Sequence, residues 1–190
     1  MPIKVPNLPN LLTWLRIVLI PLVVGVFYLN DTWATVHMRN VIATAIFVAA
    51  ALTDWLDGWI ARRYNQTSAF GAFLDPVADK LMVAAALVVL VQLQRVDAAI
   101  AIIIIGREIA VSALREWMAQ MGKSKSVAVS MLGKIKTATQ LVAIPMLLYH
   151  DSLWGLDIQS IGTLLILVAA ALTLISMMYY LKAAWPQLRG

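Results

Sequence analysis

Residues 158–181 read IQSIGTLLILVAAALTLISMMYYL, 24 consecutive positions without a formal charge. A helix needs about 20 predominantly apolar residues to cross the hydrocarbon core of a bilayer, so Ile158 to Leu181 predicts a membrane-spanning helix. The whole chain has the same character. Of its 190 residues 62% are hydrophobic and 13% charged, with a mean hydropathy of +0.82. A soluble domain is about 45–50% apolar and about 25% charged, so a soluble enzyme is excluded, as are a disordered chain and a fibrous repeat.

Working outward, apolar stretches separated by short polar breaks predict six spans in all, at roughly 11–30, 38–62, 69–93, 98–120, 130–149 and 157–182. The expected fold class is an all-α integral membrane protein, a six-transmembrane-helix bundle. It forms a single domain over residues 1–190, with no room for a separate soluble unit. Pro2, Pro6 and Pro9 punctuate a short N-terminal segment expected to lie at the interface, leading into Asn10 as N-cap of the first span. No small-residue cleavage pattern follows that span, so it is expected to remain as a helix.

The other five spans carry charges near one end. If the N-terminus is cytoplasmic, Arg39 and Arg95 fall outside and the remaining 13 of 15 basic residues fall inside. The positive-inside rule then sets both termini in the cytoplasm. Trp33 and Trp154 fall at the outer interface, Trp117 and Trp185 near the inner one, as an aromatic belt requires. The net charge of +5 and pI near 9.7 are accounted for by basic loops facing anionic membrane lipids, so no nucleic-acid partner is expected. There is no cysteine, which excludes disulfides, thiolate nucleophiles and cysteine metal sites, and His37 and His150 are too few for a histidine site. Chemistry falls to carboxylates, amines, guanidinium groups and hydroxyls.

Carboxylates are concentrated in one place. Asp54 and Asp57 are three apart and Asp75 and Asp79 four apart, so each pair lies on one helix face. The break at Asn65-Gln66-Thr67-Ser68, with Thr67 or Ser68 as N-cap, is short enough to predict that the second and third spans are antiparallel neighbours. Aspartates in a span cost about 2.5–3.5 kcal/mol each at the bilayer centre, so these must face a wet cavity. Their mutual repulsion is relieved by hard divalent cations. With no sulfur and no clustered histidine, Mg2+ or Mn2+ is expected, and two ions would clamp a phosphoryl group. Gly58, Ala61 and Gly71 share faces with the aspartates at spacings of four, leaving room for a flat ligand, and Arg62 suits a diphosphate.

The run Asp54-x2-Asp57-Gly58-x2-Ala61-Arg62-x8-Gly71-x3-Asp75-x3-Asp79 resembles the complete signature of the CDP-alcohol phosphatidyltransferases. The resemblance implies six transmembrane helices, a homodimer, and transfer of a phosphatidyl or other phosphoalcohol group from a CDP-linked donor to an alcohol with release of CMP. It further implies that Asp54, Asp57, Gly58, Ala61, Arg62 and Gly71 bind the nucleotide part, that Asp54, Asp57, Asp75 and Asp79 hold metal, and that Asp79 is the base. Asn7-Leu-Pro-Asn10-Leu-Leu-Thr13-Trp-Leu-Arg16, Gly106-Arg107-Glu108-Ile109, Ser112-Ala-Leu-Arg115-Glu116-Trp117 and Leu132-Gly133-Lys134-Ile-Lys136-Thr137 extend the resemblance towards bacterial members of the cytoplasmic (inner) membrane. Those members join CDP-diacylglycerol to sn-glycerol 3-phosphate in phospholipid biosynthesis.

A phosphorylated acceptor needs cations. Arg107 and Arg115 are eight apart, about 80° around a helix, and Lys134 and Lys136 open the fifth span, so these four are the expected acceptor-phosphate group. Arg107 follows Ile102 to Ile105 deep in an apolar run and needs an anion there. Glu108 and Glu116 are alternative partners for the arginines, and their roles stay open at this level. Other readings are an inositol-phosphate, serine or phosphatidylglycerol acceptor and, further off, a cation or proton transporter.

Overall fold

The computed structural model describes residues 8–64, 69–122 and 131–188. Among them it has six α-helices and no strand: α1 Leu8–Gly25, continued by a 3-10 turn Val26–Tyr28, α2 Val36–Tyr64, α3 Ala69–Gln92, α4 Ala98–Gln120, α5 Met131–Tyr149 and α6 Ile158–Leu188. The expected spans and observed helices largely coincide. The first helix, however, begins at Leu8, so Asn10 lies within its first turn and does not cap it. The segment before Leu8 and the Thr67 and Ser68 caps lie outside the described residues. Leu11–Tyr28, Val36–Ile60 and Ile158–Lys182 are long and apolar enough to cross a membrane by length and composition. The helices α3, α4 and α5 are of comparable length, and their apolar runs are interrupted by the charged residues of the site. Pro21, Pro76 and Pro145 sit inside helices, as membrane helices tolerate.

Three helices start at the end of the bundle opposite the chain's N-terminus, each with a side-chain cap satisfying orphan backbone N–H groups. Thr35 Oγ1 accepts from Met38 N at 3.2 Å, Asp97 Oδ1 from Ala99 N at 2.8 Å, and Asp157 Oδ1 from Ser160 N at 3.1 Å. Arg95, which follows Gln94 in left-handed backbone (φ 57°), ties this end together. It donates to the carbonyls of Leu147 (3.1 Å) and Leu148 (2.7 Å) at the end of α5 and to Asn40 Oδ1 (2.8 Å) on α2. Burial and the nearby Arg95 push the His150 imidazole below its ordinary range.

Packing departs from the expected order in one respect. The helices α2 and α3 touch each other only sparingly, and α1 packs extensively against both. The pair α5 and α6 is the most intimate, with Gly162 at the crossing: a Cβ there would come within 3.0 Å of Leu147 Cγ. The apolar core of Val23, Phe47, Leu87, Ile104, Ile144, Leu147 and Ile166 fills the space between the helices. Leu52, Ile102, Ile109, Leu164 and Met178 point outwards, a surface that suits acyl chains and would be untenable in water. The molecule is a membrane protein.

Candidate active site

All the expected site residues that are described lie towards the end of the bundle where α1 starts: in the second half of α2, from the middle of α4 onward, and in the first half of α3 and α5. On the acidic side the organising residue is one that the sequence reading left among the flanking charges. Arg16 of α1 is 1% exposed and spreads its guanidinium between two helices. Nη2 donates to Asp57 Oδ2 at 2.5 Å, while Nη1 lies 3.1 Å from Asp54 Oδ1 and also bonds Asp79 Oδ1. One turn earlier on the same face, fully buried Thr13 donates to Asp75. Thus α1 reads all four aspartates, two from α2 and two from α3. Asp57 is buried, whereas the Asp54 and Asp79 side chains are each 44% exposed.

A cavity of ≈ 90 Å³ opens beside them, lined by Arg16, Phe47, Ala50, Asp54, Asp79 and Thr137 among others. Gly58 is half-buried on α2 and Gly71 buried on α3. The side chains of Ala61 and Arg62 lie outside the described residues, so their expected nucleotide role stays with the motif.

The donor set fits a hard divalent cation. Four carboxylates set against one guanidinium leave a formal charge of −3, and every donor is oxygen. Among the described residues no three acids close about a common point. Asp54, Asp57, Asp75 and Asp79 are the residues that would hold the ions.

The cationic side is built by α4, α5 and α6. Arg107, 6% exposed, donates from Nη2 to Ser176 Oγ (2.8 Å) and from Nη1 to Glu108 Oε1 (3.1 Å). Lys136, almost fully buried, bonds the same Glu108 oxygen. Arg115 donates to Tyr180 Oη at 3.0 Å. The guanidinium carbons of Arg107 and Arg115 lie 5.5 Å and 5.3 Å from the Tyr180 ring centroid, so one aromatic ring supports both cations. Among the described residues the buried Nε–H groups of both arginines have no hydrogen-bond partner.

Three of the four expected acceptor residues therefore converge. Lys134 does not join them: two residues from Lys136, it faces the other way and is exposed. Glu108 is the shared anion of Arg107 and Lys136, whereas Glu116 is exposed and pairs with neither arginine. Ser176 and Tyr180 were missed, since they stand in the charge-free span and only their four-residue spacing hints at a common polar face. Arg16 had the clearer signal, a cation followed by Ile17-Val-Leu-Ile20, which is the argument that singled out Arg107.

Comparisons with known proteins identify the family. The family model for CDP-alcohol phosphatidyltransferase matches residues 6–179. The chain is similar to the CDP-diacylglycerol--glycerol-3-phosphate 3-phosphatidyltransferases of Escherichia coli (strain K12) and Shigella flexneri serotype 5b (strain 8401), 50% identical to each over 94% of both chains. It is 49% identical, at the same coverage, to the protein of that name from Salmonella typhimurium (strain LT2). A match spanning nearly the whole chain, with the acid motif intact and its four aspartates gathered by one helix, makes this protein a member of the CDP-alcohol phosphatidyltransferase family.

Proposed function

We infer that the protein transfers the phosphatidyl group of CDP-diacylglycerol to sn-glycerol 3-phosphate, giving phosphatidylglycerophosphate and CMP. The observation that carries this reading is the pairing, at one end of the bundle, of an acidic cluster suited to metal and diphosphate with a buried cationic cluster suited to a phosphomonoester. Helix α5 contributes to both, with Thr137 lining the acidic cavity and its neighbour Lys136 turned towards Glu108. Three cations against Glu108 leave +2, the charge that a phosphomonoester dianion neutralises. The relatives' names point to the same two substrates.

In the proposed reaction the acceptor hydroxyl oxygen attacks the phosphorus that bears diacylglycerol, the bond from that phosphorus to the CMP oxygen breaks, and CMP leaves. Asp79, half-exposed beside the cavity, takes the hydroxyl proton. Arg107, Arg115 and Lys136 hold the acceptor phosphate through charge-assisted bonds, the orphan Nε–H groups of the two arginines giving further donors. A cavity of ≈ 90 Å³ is far too small for a nucleotide, so CDP lies on the open side of Asp54, against the Gly58 and Gly71 faces. Two Mg2+ or Mn2+ ions on Asp54, Asp57, Asp75 and Asp79 would supply neutralisation of the donor diphosphate. Fixed positions for both substrates contribute much of the rate. The site faces the cytoplasm of the inner membrane, where the basic residues accumulate.

An acceptor screen tests the reading. Purified protein in detergent, given CDP-diacylglycerol and Mg2+, is expected to release CMP with sn-glycerol 3-phosphate and not with serine, inositol phosphate or phosphatidylglycerol. CMP release with one of those and none with glycerol 3-phosphate would reassign the acceptor, and no CMP release at all would favour the transport reading.

A further inference from the structure

Arg16 has more contacts with the acidic cluster than flanking charge requires. It is 1% exposed, bonds carboxylates of both α2 and α3, and among the described residues its Nε–H has no hydrogen-bond partner. A topology-setting arginine would reach outwards to headgroups, whereas this one turns inwards to the residues expected to hold metal. We propose that Arg16 is a built-in cation of the carboxylate site, a positioning residue that holds Asp54, Asp57 and Asp79 in register and, by its own positive charge, weakens the site's grip on divalent ions. The proposal rests on the metal reading above and concerns this chain's own residue within it.

The reasoning is electrostatic. Without Arg16 the cluster carries −4, with it −3. The guanidinium gathers like charges that would otherwise push α2 and α3 apart, and these two helices have little other contact. The same guanidinium repels a divalent ion bound to the acids it touches. Even at the dielectric constant of water, one unit charge about 6 Å from a divalent ion is worth roughly 10-fold in affinity, and more where water is excluded. Weak, exchangeable metal suits a site that must let its diphosphate-bearing partner come and go with every turnover.

The test is Mn2+ binding to the purified protein without substrates, read from the free-Mn2+ electron paramagnetic resonance signal. Arg16→Gln is expected to bind Mn2+ roughly 10-fold tighter than wild type and to have a lower thermal transition without metal, which Mn2+ restores. Arg16→Lys, keeping the charge, is expected to stay near wild-type affinity. If Arg16→Gln proves too unstable, the charge-matched double variant Asp54→Asn with Arg16→Gln replaces it. This variant is expected to bind Mn2+ roughly 10-fold tighter than Asp54→Asn alone. Equal or weaker binding once Arg16 is removed overturns the proposal and leaves the metal reading standing. No Mn2+ binding by any form, including wild type, overturns the metal reading itself.

Discussion

Replacing Glu108 with Gln probes the cationic cluster most directly. Lys136 is almost fully buried and pairs with Glu108, whose same oxygen lies 3.1 Å from Arg107 Nη1. Gln keeps the volume and one acceptor oxygen and withdraws the charge, taking Arg107, Arg115 and Lys136 from a net +2 to +3. Breaking a buried ion pair from one side costs about 3–5 kcal/mol, and the 23% exposure of Glu108 argues for about 3. For a chain of this length about 2–4 °C follows per kcal/mol, so the thermal transition in detergent should fall by roughly 6–12 °C. A dianion lodged among the three cations would replace the missing charge. Saturating sn-glycerol 3-phosphate should therefore raise the transition of Glu108→Gln by more than that of wild type, while glycerol, which lacks the phosphate, raises neither. Differential scanning fluorimetry on the two purified proteins reads both quantities. A variant as stable as wild type, or one that glycerol 3-phosphate stabilises no more than it does wild type, would refute the assignment of Glu108 as internal counter-ion of an acceptor-phosphate site.

Three other outcomes are expected. Asp57→Asn removes a buried charge without removing volume and should lower metal-dependent CMP release by about 10²-fold or more, in protein that still purifies as a folded bundle; ordinary turnover at ordinary Mg2+ would sink the metal role of Asp57. Cysteines placed at exposed Ser152 and Gln120, in a chain that has none of its own, should give opposite results with an impermeant maleimide added to intact cells: position 152 labelled, position 120 reached only after permeabilisation. Gly162→Leu drives a side chain into Leu147 and Met146, and overpacking of this kind costs about 1–3 kcal/mol, so its thermal transition should drop while the KM values of the surviving folded protein stay unchanged.

The helices were legible in the sequence because long apolar runs broken by charged residues leave little freedom: α4 begins at Ala98 and α6 at Ile158, each within one residue of the expected start. The acidic motif was legible because its spacings are local, three and four residues on one face. What escaped was the identity of neighbours. A short link suggested that α2 and α3 pack side by side, but it constrains only their nearest ends, and α1 takes the place between them with a cation that offsets their carboxylates. Arg16 was therefore counted among the flanking charges, although it lies 41 residues from Asp57 and 63 from Asp79 and still touches both. Ser176 and Tyr180 were hidden for the same reason, their partners Arg107 and Arg115 lying 69 and 65 residues away. Lys134 shows the opposite effect: proximity in sequence to Lys136 suggested a common role, while the helical turn sends the two side chains apart.

The position of α1 between the two acidic helices also bears on how the chain enters the membrane. Translation delivers α1 first, so a guanidinium is already in the bilayer when Asp54 and Asp57 arrive on α2, and Thr13 with Arg16 is waiting when Asp75 and Asp79 follow on α3. A lone charged residue at the middle of a span costs about 2.5–3.5 kcal/mol to insert, yet here each newcomer after the first enters as half of a pair. The order of synthesis is thus also the order in which charges are masked. A chain started at Val36 would present its aspartates to the insertion machinery with no partner in place; glycosylation tags in the flanking loops should then report α2 and α3 stalled outside the bilayer, and restoring α1 as a separate peptide should bring them in.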